Sequence, residues 1–131
     1  MIIHTLEEIH TLFESTKYAD NSLVRVDQTD FDTCMGSGSK QCAVSITGNH
    51  NHEAFVKEAQ QEINECAKLS LKSCIIIFIA HNPEAASNFM TIELVNEVTA
   101  NLHNCDTIMG ITSDATLQQD ECRILFFGAY D

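Results

Sequence analysis

Positive charge is scarce in this sequence. Only 7 lysines and arginines stand against 19 aspartates and glutamates in 131 residues, a formal charge of −12 with histidine neutral. Attraction to phosphate needs a basic patch, so neither nucleic acid nor an anionic membrane surface is expected as a partner. Long apolar runs are missing too. The longest, Cys74 to Ala80, has seven residues, where a membrane span needs about 20. The first residues carry His4, Glu7 and Glu8 in place of a basic stretch before an apolar one, so no signal peptide is read there. These absences predict a cytoplasmic protein.

Signatures of several chemistries are also lacking. No Cys-x-x-Cys occurs among the six cysteines, which removes the zinc-knuckle and thioredoxin-type patterns. Most of the cysteines sit in apolar segments such as Cys74-Ile75-Ile76-Ile77, where a reduced thiol acts as a small hydrophobe. His50-Asn51-His52 is the most metal-like stretch, but it lacks a third donor at defined spacing, so neither metal nor other cofactor is expected. There is no Gly-x-Ser-x-Gly and no His-Glu-x-x-His. Gly36-Ser37-Gly38-Ser39-Lys40 is the one glycine-rich stretch; without Walker spacing or a preceding buried strand it reads as a connector and not as a phosphate cradle.

What remains is ordinary globular material, 44% hydrophobic and 20% charged, at a length that favours a single domain. Leu6, Ile9, Leu12 and Phe13 fall at helical spacing and predict a short amphipathic helix, followed by a break at Asp20-Asn21-Ser22. A brief helix is expected to Met35, then a strand over 42–47. Phe55, Ala59, Ile63 and Cys66 share one face of a long helix over 53–69, with Asn51 as its cap. Ser73 to Ala80, apolar without alternation, reads as a central strand covered on both faces or well inside a sheet, and ended by Pro83. A helix over 91–103 and strands over 107–112 and 122–127 complete the pattern, the last two close enough in sequence for an antiparallel hairpin. The order β-α-β-α-β-β predicts an α/β (α+β) two-layer sandwich. One four-stranded sheet carries two long helices, and a short helix precedes it.

Asp27 and Asp30 follow a short extended stretch and enter a helix where packing requires no acid. Carboxylates three residues apart can orient a water or a cation. The structural alternative makes Asp30 the helix cap and Asp27 a solvated loop charge.

From Leu23 onward the chain resembles the C-terminal domain of the bacterial cell-division protein FtsZ, of the tubulin/FtsZ family. Leu23-Val24-Arg25-Val26-Asp27-Gln28-Thr29-Asp30-Phe31 through Met35 resembles the synergy loop and following helix, N-L-D-F-A-D-V-x-T-V-M. Met90-Thr91 with Val95-Asn96-Glu97 resembles L-T-L-x-E-V-N-E, and Ile108-Met109-Gly110 with Asp114 and Leu117 resembles I-F-G-x-x-x-D-x-x-L. Asp120-Glu121-Cys122-Arg123-Ile124 through Gly128 resembles D-E-V-R-V-T-V-I-A-T-G. The resemblance implies that residues 1–20 are the end of a core helix and a break. It makes residues 21–40 a synergy-like loop with its short helix, and residues 41–131 the sheet and its helices.

It further implies a role in trans. In the family, one subunit holds GTP and the synergy-loop acids of the next activate the attacking water; Asp27 and Asp30 match those acids. The glycine-rich nucleotide domain that precedes this segment in the family is not in these residues, so the chain is not expected to be an enzyme by itself. The expected partner is an FtsZ-type GTPase subunit, which the chain would cap or stimulate, or a second copy of itself. The loop departs from the family at Arg25, in place of Asn, and at Gln28, in place of an apolar residue. An Arg beside two Asp can pair with them and restrain them. Those departures leave open a second expectation, a repurposed scaffold that binds a protein or small ligand and has no role in hydrolysis.

Overall fold

A computed structural model describes residues 2–16, 24–49 and 53–131. In chain order the elements are α1 (Leu6–Glu14), α2 (Gln28–Met35), β1 (Lys40–Asn49), α3 (Glu53–Ala67), β2 (Ser73–Ala80), α4 (Pro83–Phe89), α5 (Ile92–Thr99), β3 (Asp106–Ser113) and β4 (Glu121–Tyr130). The four strands form one sheet in the order β1-β4-β2-β3. The α+β sandwich is as predicted, with its sheet of four strands and α3 and α5 on one face.

Alternation along the strands sorts the core into two layers. Cys42, Val44 and Ile46 of β1, Ile76 and Phe78 of β2, and Ile124 and Phe126 of β4 pack beneath α3, α4 and α5. Ala43, Ile75, Ile77, Ile79, Leu125 and Phe127 face the other way, against Ile9 and Phe13 of α1 and Phe31, Cys34 and Met35 of α2. The unbroken apolar run of β2 has this cause: both its faces are covered. On α3 the predicted stripe of Phe55, Ala59, Ile63 and Cys66 is the buried one.

The predicted hairpin between the last two strands does not form. β3 pairs parallel with β2, while β4 inserts between β1 and β2, antiparallel to both. Burial explains the arrangement. Every residue from Ile124 to Ala129 is buried, which requires an interior strand, whereas β3 starts with the exposed Asp106, Thr107 and Ile108 and suits an edge. The β2–β3 connection is therefore a crossover through helices.

Part of that crossover is α4, where the sequence reading saw only a strand end at Pro83. Asn82 caps it, its Oδ1 accepting from Ala85 N at 2.7 Å, and Pro83 occupies the first turn, where its missing N–H costs nothing. α5 begins at its Thr91 cap, whose Oγ1 accepts from Leu94 N at 3.1 Å, and ends at Thr99 and not at His103. The Asp20-Asn21-Ser22 break, the Asn51 cap, His50 and His52 lie outside the described residues.

Candidate functional site

Two anchors place the segment that leads into α2. At its start Val24 bridges the outer edge of β3: Val24 N donates to Ile111 O at 3.1 Å and Ile111 N to Val24 O at 2.9 Å. Gly110 allows this approach. A Cβ there would stand 2.8 Å from Val26 Cγ2 and 3.3 Å from Val24 O, too close for both to stay.

The second anchor is α2 itself. Phe31 is fully buried, stacked on Phe13 with ring centroids 4.1 Å apart and edge-on to Phe127 at 5.5 Å. The Cys34 carbonyl accepts from the hydroxyls of Ser37 (2.7 Å) and Ser73 (3.2 Å), which fastens the end of the helix to β2.

Between these anchors the acids form a reciprocal capping box. Asp27 Oδ1 accepts from Asp30 N at 2.8 Å, and Asp30 Oδ2 accepts from Asp27 N at 3.2 Å. The cap is therefore Asp27, with Asp30 at the third helical position, the reverse of the structural alternative read from sequence. Both acids have a place in the fold: two backbone N–H groups at the helix start are satisfied. Asp27-x-x-Asp30 ahead of the buried Phe31 was the available signal, a short-armed version of the usual box. Among the described residues, the second oxygen of each carboxylate has no protein partner.

Among the described residues, neither Arg25 nor Gln28 bonds to this pair through its side chain. Arg25 is exposed, and among the described residues it makes no ion pair with Asp27, Asp30 or any other acid. Gln28 turns along the helix and donates from Nε2 to Asp32 Oδ1 at 2.8 Å. The loop thus presents two capped carboxylates and a guanidinium with no ion-pair partner among the described residues. Beside them on the β3 side, Val24 and Ile108 are partly exposed, at 49% and 37%.

Other candidate chemistry has structural work. None of the six cysteines is in a disulfide, and burial pushes the thiols of Cys34, Cys74 and Cys105 up; contact with the Cys42 thiol, then burial, does the same to Cys66. These are poor nucleophiles. No group of three or more metal-ligating side chains occurs among the described residues. The Gly36–Lys40 connector is pinned: Ser37 bonds Ser73 at 2.6 Å, and Ser39 N donates to Asp131 Oδ1 at 3.1 Å.

At the carboxyl ends of β2 and β3, Asp114 and Arg123 border a cleft of about 240 Å³ that the sequence reading did not single out. Hydrogen bonds from the Thr116 hydroxyl at 2.6 Å and its N–H at 2.9 Å hold the Asp114 carboxyl below its ordinary range. A cleft of about 570 Å³ on the outer face of α3 takes no residue from the Val24–Asp30 loop. No described helix is long and apolar enough to cross a membrane.

Comparison with known structures bears on this geometry. CetZ2 from Haloferax volcanii, in a GTPγS-bound protofilament, matches with a TM-score of 0.58 at 9% identity, over 95% of this chain and 37% of that one. The fold is tubulin/FtsZ-like. At that identity the likeness is one of fold, and it supports the wider tubulin/FtsZ-like architecture without singling out bacterial FtsZ. The chain spans about 37% of the CetZ2 chain. A thiamine-monophosphate kinase from Stenotrophomonas maltophilia is matched at a TM-score of 0.38 and 16% identity, over 98% of this chain and 43% of that one, too low to carry an argument. No family model and no curated protein matches the sequence.

Proposed function

We propose that this chain is an FtsZ-like C-terminal module that docks, by its Val24–Asp30 face, onto the nucleotide face of a GTP-binding FtsZ-type subunit in the cytoplasm. One observation carries the reading. In a tubulin/FtsZ-like fold, a loop held at both ends presents two carboxylates, each with an oxygen left over from the capping box. One solved structure in which this fold recurs, CetZ2, is a GTPγS-bound protofilament. Docking either caps a filament or supplies Asp27 and Asp30 in trans to hydrolysis, where positioning of water is the chief requirement. The chain alone is not a GTPase in this reading.

The test is GTP turnover and sedimentation of a full-length FtsZ-type partner from the same cell, with and without this chain. A changed rate or a changed polymer mass is expected. No change in either, with the chain in large excess, removes the proposal.

A second reading is favoured by the capping box, which accounts for both acids without any hydrolysis. In it the fold is a repurposed scaffold for a protein or small ligand, possible also as a homodimer through the exposed Asp106–Ile108 end of the β3 edge. Light scattering showing a stable dimer, with no response of the GTPase, would favour it.

A further inference from the structure

Between Val24 and Met35 the chain carries three acids, Asp27, Asp30 and Asp32, and a single cation, Arg25. The backbone on either side of Arg25 is fixed, by the Val24–Ile111 bridge before it and the Asp27 cap after it. Val26 packs toward Gly110, while Arg25 lies exposed. In a chain with 19 acids, and with Asp27 and Asp30 within the next five positions, this guanidinium has no ion-pair partner among the described residues. The acids beside it are already engaged with backbone N–H groups.

We propose that Arg25 acts in trans on the partner's nucleotide, its guanidinium holding the terminal phosphate of a nucleoside triphosphate bound to the docked subunit. The inference rests on the docking reading above and adds the group that makes it electrostatically workable. Two carboxylates brought against a triphosphate repel it. A planar guanidinium offsets that repulsion and binds phosphate oxygens in pairs.

During hydrolysis the water oxygen bonds to the γ-phosphorus as the bond to the bridging oxygen breaks. The nucleoside diphosphate leaves with the electron pair. One water proton stays on the new phosphate, and the other passes to the free oxygen of Asp27 or Asp30 and then to the released phosphate. Arg25 stabilises the charge that develops on the transferring group, the part played by arginine fingers supplied in trans.

The experiment uses the whole chain with a full-length FtsZ-type partner, measuring co-sedimentation and single-turnover GTP hydrolysis for wild type, Arg25→Ala, Arg25→Lys and the off-face control Lys57→Ala. Circular dichroism melts confirm folding. Wild type and Lys57→Ala are expected to stimulate alike. Arg25→Ala returns the rate to the partner's own, a loss of up to about a thousandfold, and Arg25→Lys falls between. Binding supplies a readout apart from turnover. Wild type prefers partner loaded with GTPγS over partner loaded with GDP by about tenfold or more, and Arg25→Ala loses that preference while still docking. Stimulation and preference unchanged in Arg25→Ala overturn the inference and leave docking intact. Docking without stimulation or nucleotide preference in wild type also overturns it. Failure of wild type to dock overturns the docking reading itself.

Discussion

On the α3–α5 face of the sheet the core is a broad, mainly aliphatic layer that also holds Phe55, Phe78, Phe89 and Phe126, the first three in contact at one place. On the α1–α2 face it is a smaller set organised around the rings of Phe13, Phe31 and Phe127. The first face holds the fold together and presents none of the residues proposed to act. The second supports α2, and through α2 it sets the position of both acids and of Arg25. Packing and proposed function are therefore separable on one face and coupled on the other.

The largest expected effect is at the centre of the coupled face. Phe31→Ala should cost about 3–5 kcal/mol, and Ile63→Ala on the opposite face about 2–5 kcal/mol. Chemical denaturation checks both values. Docking separates them: measured where both variants remain folded, Phe31→Ala loses co-sedimentation with the partner and Ile63→Ala keeps it. Equal loss in the two variants would erase the distinction between the faces.

A smaller change acts on the loop and spares the rings. Gly110→Ala places a methyl 2.8 Å from Val26 Cγ2 and 3.3 Å from Val24 O, so about 1–3 kcal/mol is lost as the segment shifts off β3. Amide exchange at Ile111, whose N–H bonds Val24 O, should speed up while that of β2 does not. If both stay slow, the segment is not held as described.

The cap comes next. Asp27→Ala removes both charge and capping oxygen and should cost about 1 kcal/mol, whereas Asp27→Asn keeps a capping oxygen and costs a few tenths. Any loss of GTPase stimulation in Asp27→Asn beyond that small destabilisation belongs to the carboxylate's action on the partner. Full stimulation by Asp27→Asn would assign Asp27 to the cap alone.

The smallest effect lies outside both faces, at Asp114. Its folded-state pKa is depressed, first by the Thr116 hydroxyl, so its contribution to stability is present above the ordinary carboxylate value of about 4. That contribution is lost as pH falls through the folded value. Thermal melts should show a steeper acid loss for wild type than for Asp114→Asn below about pH 4. Parallel curves would contradict this.

How far the sequence discloses this molecule depends on whether a feature is local. The β2 run and the α3 stripe were legible because burial on one or both faces writes its period into consecutive residues. The place of β4 was not, since pairing partners are chosen by contacts distant in sequence; the dense apolar run Ile124–Phe127 hinted at an interior strand, yet the short link to β3 favoured a hairpin. The α4 helix was legible in principle through Asn82-Pro83, a cap followed by a first-turn proline. At the site, the spacing of Asp27 and Asp30 was visible, but the reciprocal bonds that give each a structural part were not. That Arg25, which could have paired with those acids, makes no ion pair among the described residues needed coordinates.

The central claim is that the Val24–Asp30 face is the docking surface. Hydrogen–deuterium exchange of this chain, with and without an excess of GTPγS-loaded FtsZ-type partner, addresses it most directly. The account predicts new protection concentrated in the segment from Val24 to Phe31 and along the β3 edge from Asp106 to Met109, with α3 unchanged. Protection confined to the outer face of α3, or none anywhere, would contradict it.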